Sequence, residues 1–207
     1  MMPLPLLTRY PLSLLLVVML VALWSFISPY GRFTWVLESF PVFIAAPLLI
    51  YTHKKFCLTN LAYTLIALHA MILLIGGHYT YAEMPLFNWL RDSFDLSRNY
   101  YDRLGHLVQG FVPAIIIREL LLRTSPLRSG KWVFVIIVFS CLGISALYEL
   151  LEWAVSELTG EAAEAFLGTQ GDIWDTQKDM FCAGIGAVCA LVFLSRRHDK
   201  ELARFLQ

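Results

Sequence analysis

Six stretches of the chain are apolar over close to the 20 residues or so that a helix needs to cross a hydrocarbon core of about 30 Å. They run from Pro11 to Ser28, Trp35 to Tyr51, Leu58 to Gly76, Leu104 to Leu122, Lys131 to Val155 and Thr176 to Leu194. The pattern predicts an all-α, polytopic membrane helix bundle of about six transmembrane helices, with residues 1–207 forming a single integral membrane domain. Pro41, Pro47 and Glu38 interrupt the second stretch, which therefore spans with a tilt or kink. Arg9 ahead of the first stretch suits a signal peptide, but WSFISPYG after it lacks a small-x-small cleavage site, so an uncleaved span is expected.

The segments between the stretches are polar and short. From His78 to Tyr101 aromatic residues such as Tyr81, Trp89 and Phe94 punctuate the loop, which predicts a short lid or amphipathic helix at the headgroup level. Between Ser156 and Asp175, glycines flank the acidic stretch EAAEAFLG, expected to form a helical turn. No internal repeat is visible, so an inverted-repeat architecture gains no support.

Composition strengthens the membrane assignment: 58% of residues are hydrophobic and 15% charged, against about 25% charged in soluble domains. Eleven of the sixteen lysines and arginines fall on one side of a six-span topology. The excess predicts cytoplasmic termini, with the loops after spans one, three and five external. Thirteen of the sixteen acids then lie at the external side, all but Glu119, Asp199 and Glu201. Net charge is zero, and no Walker A loop or dinucleotide fingerprint occurs, so neither nucleic acid nor nucleotide is an expected partner. The four cysteines lack a CxxC spacing and read as packing residues.

The acids are patterned. Asp175 and Asp179 lie four apart in GTQGDIWDTQKD, with Asp172 in the turn before them; Asp102 and His106 are four apart in DRLGH; Glu149 and Glu152 are three apart in YELLEW. Each spacing puts two ligand-type side chains on one helix face. Together with His78 at the end of span three, all lie at one depth, where ionisable groups must face each other, a cavity or water. Carboxylates with imidazole suit a divalent metal such as Zn, Mn or Fe. The candidate ligands are His78, Asp102, His106, Asp172 and Asp179; Glu149, Glu152 and Asp175 are candidate general bases for a hydrolysis in which the metal activates water. Arg103 and Lys178 are the cations at hand to offset the acids, and a network of ordinary salt bridges is the alternative use of the same residues. Elsewhere, His69 reads as a core histidine bonded to a neighbouring helix, His53 and His198 as solvated, Arg118 and Glu119 as an interfacial pair with Arg118 snorkelling, and Gly184 and Gly186 with Ala183 and Ala187 as a helix-packing face.

GGHYTY at 76–81, DRLGH at 102–106, RELL at 118–121, SALYELLEW at 145–153 and GTQGDIWDTQKDM at 168–180 together resemble the YjdF-type bacterial inner-membrane proteins over nearly the whole chain. The resemblance implies a multi-pass protein of the bacterial inner membrane and no particular chemistry. A weaker likeness is to VanZ-like membrane proteins, in the order Asp102, Arg103, His106, a later glutamate, then Asp179 before Gly184 and Gly186; the longer acidic run and second glutamate here depart from it. The leading expectation is a metal-dependent envelope enzyme, embedded in the lipid bilayer, acting on a lipid or lipid-linked substrate at the periplasmic face. A proton-coupled, flippase-like transporter and a non-catalytic assembly partner are its rivals, and oligomeric state is not legible.

Overall fold

The structure is a computed structural model that describes residues 9–160, 166 and 168–205. It is all-helical among these residues, with α1 (Arg9–Phe26), α2 (Arg32–Thr52), α3 (Asn60–Tyr79), a 3-10 turn (Tyr81–Glu83), α4 (Pro85–Phe94), α5 (Tyr101–Thr124), α6 (Lys131–Thr159) and α7 (Asp175–Leu202). All but α4 and the 3-10 turn are long and apolar enough to cross a membrane, giving six candidate spans. The acidic stretch expected to form a helical turn falls mostly outside the described residues.

The bundle is organised by small residues. A Cβ on Gly110 of α5 would collide with the backbone carbonyl of Ala183, and one on Gly186 of α7 with that of Leu107, so α5 and α7 touch backbone to backbone. Without a hydrophobic drive between helices in lipid, such close van der Waals contact is what holds spans together. Ala183, Ala187 and Ala190 continue this face, each fully buried. Gly184 lies on another face, against Leu142 of α6. Around this pair pack α3 and α6, and α1 and α2 lean on α3. The α1–α2 connection is tied to the end of α3: Ser25 Oγ donates to the Leu74 carbonyl (2.5 Å), Trp35 Nε1 donates to Ser25 Oγ (2.7 Å), and the Tyr30 amide donates to the His78 carbonyl (2.8 Å).

At the opposite end, buried ionic groups close the bundle. Glu119 accepts from the Thr59 amide (3.0 Å), Thr59 Oγ1 (2.7 Å), Arg123 (2.6 Å) and His198 Nε2 (3.2 Å). Arg118 donates to His198 Nδ1 (3.1 Å) and Asp199 (2.5 Å). His198 is thus wholly buried instead of solvated, and Arg118, 2% exposed, bonds α7 instead of snorkelling. His53, half-buried, is held by the Tyr63 hydroxyl at 2.7 Å. Thr59 also caps α3, accepting from the Ala62 amide. Thr59→Ala removes both the cap and a bond to Glu119, so it should cost about 1–2 kcal/mol in detergent unfolding; an unchanged midpoint would show that the remaining donors suffice.

Candidate metal centre

The site is set up by two turns. Gly168, Gln170 and Gly171 all have positive φ, conformations that glycine adopts freely and other residues rarely. This turn presents the Gly168 carbonyl to Arg98 at 2.9 Å, while the Gln170 side chain bonds both the amide (2.9 Å) and the carbonyl (3.0 Å) of Asn99. Asn99 Oδ1 in turn accepts from the first amide of α5, that of Tyr101, at 3.0 Å. The start of α5 is therefore stitched to the start of α7. Asp172 closes the second turn, accepting from the Trp174 amide (3.1 Å) and Lys178 (2.7 Å). The Lys178 bond, helped by the Trp174 amide and Arg103, holds the Asp172 carboxyl below its usual range. What that carboxylate adds to stability is present at neutral pH and lost as pH falls through its depressed pKa.

Two guanidinium groups lie among the aspartates. Arg103 reaches Asp175 (2.6 Å), Asp172 (3.1 Å) and Asp179, with Asp102 at 3.9 Å. Arg98 reaches Asp175 and Asp102, the latter at 3.5 Å. Asp175 thus anchors both arginines. Including Lys178, three cations face six carboxyl groups, those of Asp102, Glu149, Glu152, Asp172, Asp175 and Asp179.

The carboxyl oxygens not taken by the arginines converge on one imidazole. His106 Nε2 lies 3.5 Å from Glu149 Oε1, 3.6 Å from Asp102 Oδ1 and 3.9 Å from Asp179 Oδ1. Glu149 Oε1 and Asp179 Oδ1 are buried without a hydrogen-bond partner. His106 Nδ1 faces Gln109 Oε1 at 3.0 Å; as that oxygen can only accept, Nδ1 is the donor of this bond and Nε2 is the ring nitrogen that faces the acids. Two ligands about 2.1 Å from one tetrahedral ion stand roughly 3.4 Å apart, close to the spacings seen here. Two overlapping triads can hold an ion, Asp102 with His106 and Asp179, and His106 with Glu149 and Glu152.

The other sequence candidates lie elsewhere. His78 stacks on Trp24 with ring centroids 4.5 Å apart and bonds the Ser25 carbonyl, so it belongs to the α1–α3 contact. Asp172 is in the ion-pair layer outside both triads. The sequence reading missed Arg98, which stands four residues before Asp102, and Gln109, one turn after His106. It also gave no role to Glu38, which is 2% exposed and accepts from the Tyr81 amide at 3.4 Å. The Tyr81 ring wedges between Gly76 and Gly105 with its hydroxyl unpartnered; burial first, then the Glu38 carboxyl, raises that phenol well above its usual pKa.

Comparison with known proteins agrees with this architecture. The chain is 47% identical over 186 residues to "Inner membrane protein YjdF" of Escherichia coli (strain K12), covering 90% of this chain and 89% of the relative. That name states a location and no reaction. No solved structure matches. Residues 10–200 match the family model described as "Predicted membrane protein (DUF2238)", and the chain, a multi-pass inner-membrane protein, belongs to that family.

Proposed function

We propose that the chain is a single membrane domain with both termini in the cytoplasm, and that its acid–histidine cluster, at the periplasmic face, binds a divalent metal and cleaves an ester bond in a lipid or lipid-linked substrate. The observation that carries this reading is the pair of buried, unpartnered oxygens, Glu149 Oε1 and Asp179 Oδ1, facing Nε2 of His106. With Nε2 unprotonated these acceptors repel one another; a cation held by His106 and Asp179 would relieve that repulsion, and a water on it would meet Glu149 Oε1. One imidazole with carboxylates favours Zn, Mn or Fe.

Asp102, His106 and Asp179 would hold the ion, whose chemistry when bound would be to lower the pKa of a water. Glu149 and Glu152 lie beside His106, where they would serve as general base, taking the proton of the attacking water and returning it to the departing oxygen of the ester. Asp175 is engaged by both arginines and serves the scaffold. Gln109 fixes the His106 tautomer, the second-sphere role that metal-bound histidines require. Lipid access is supported by the exposed Trp153, Ile173 and Trp174, which are neighbours in sequence of Glu152 and Asp175 and suit the membrane–water interface.

Elemental analysis of detergent-purified protein tests the reading. Wild type is expected to carry close to one metal per chain and His106→Ala almost none, with both variants shown to be folded. A proton on Nε2 is the competing way to satisfy the same oxygens; protein that stays free of metal after dialysis against Zn, Mn and Fe would establish it and remove the hydrolytic mechanism.

A further inference from the structure

A second feature lies away from the acid–histidine cluster and is independent of any reading of it. A cavity of about 600 Å³ runs between α1, α2, α3 and α5, a size typical of sites that bury a ligand. Its walls are aliphatic except for His53, Tyr63 and His69. Among the described residues His69, expected as a bonded core histidine, makes no hydrogen bond and instead lines this space. On α3 the lining runs from Tyr63 to Leu73, about 15 Å of helix and so about the depth of one leaflet. α1 and α2 both pack on α3, and the lining residues Leu12, Leu48 and Ile50 are more than half exposed, so the cavity reaches the apolar outer surface of the bundle. Interiors pack without voids of this size, so a chain from the surrounding lipid is the natural filler.

The end of the cavity at Tyr63 is basic. The hydrogen bond from Tyr10 to Thr64 (2.8 Å) puts the start of α1, with Arg9, beside the first turn of α3, and Lys54 and Lys55 are exposed in the turn that follows α2. Among the described residues none of these three cations has an acidic partner, and Lys55 rests on the Tyr51 ring at 5.3 Å. We propose that the cavity holds one acyl chain of an anionic glycerophospholipid whose phosphate lies against Arg9, Lys54 and Lys55.

Delipidated protein titrated with dioleoylphosphatidylglycerol and, separately, with dioleoylphosphatidylcholine, read by native mass spectrometry, tests this. One phosphatidylglycerol per chain is expected, bound at least tenfold more tightly than phosphatidylcholine. Exposed basic residues each contribute about five-fold in affinity for anionic lipid, so Lys54→Gln with Lys55→Gln should weaken phosphatidylglycerol roughly 25-fold and leave phosphatidylcholine unchanged. Ala45→Phe, which fills the cavity from α2, should weaken both. Equal affinity for the two lipids in wild type would overturn the proposal. Phosphatidylglycerol binding that survives Ala45→Phe would overturn it too, by reducing the site to a charged surface patch.

Discussion

Arg103→Ala is expected to lower the unfolding free energy by about 3–5 kcal/mol, the cost of stripping the partner from buried charges. The guanidinium contacts Asp172, Asp175 and Asp179 and is itself 8% exposed. Its removal leaves Arg98 as the remaining buried cation for the aspartates, and Arg98 does not reach Asp179 within ion-pair distance. Arg103→Lys should recover part of the loss, since an ammonium keeps the charge but cannot bond several carboxylates through a planar fork. Combining Arg103→Met with Asp179→Asn should recover more, because it removes charge of both signs. Chemical unfolding in detergent micelles reads all three. An Arg103→Ala midpoint within error of wild type would mean that the aspartates are held by something other than this guanidinium.

Gly110→Ala should be nearly as damaging. The new methyl group would fall on the Ala183 carbonyl, and because the obstacle is backbone, relief requires α5 and α7 to separate. Overpacking costs about 1–3 kcal/mol where side chains can yield; here the upper end or beyond is expected, and Gly186→Ala, facing the Leu107 carbonyl, should match it. Gly143→Ala is the control. Nothing lies within 4 Å of a Cβ there, so the change should stabilise α6 by up to about 1 kcal/mol through helix propensity. Equal thermal midpoints for Gly110→Ala and Gly143→Ala would refute the close contact of α5 with α7.

The six spans were legible because a bilayer demands long apolar runs, and hydropathy reports just that. Their ends were less so: α6 continues to Thr159 and α7 to Leu202, since helical hydrogen bonding carries on past the point where apolar residues stop. Within the site, the pairs Asp102/His106 and Glu149/Glu152 could be found from the i,i+4 and i,i+3 rule, and the structure brings both to His106. Arg98, Asn99 and Gln170 could not, because they sit in turns that have no period to read. His198 was misjudged for a different reason. Its basic neighbours in sequence suggest solvent, but its partners Arg118 and Glu119 lie 80 and 79 residues away. His78 shares its depth with the acids yet belongs to the α1 side of the bundle, a lateral position that hydropathy does not encode.

The pairing of α5 with α7 also bears on how the protein is made. Chains emerge from the ribosome N-terminus first, so Asp102, Arg103 and His106 enter the membrane on α5 well before Asp175 and Asp179 exist to meet them. Until the sixth span arrives, Gly110 has no backbone to lie against and Arg103 has only its own neighbour Asp102. A chain halted ahead of α7 would therefore present a charged, glycine-notched helix without its partner, and completion of the sixth span is what conceals it.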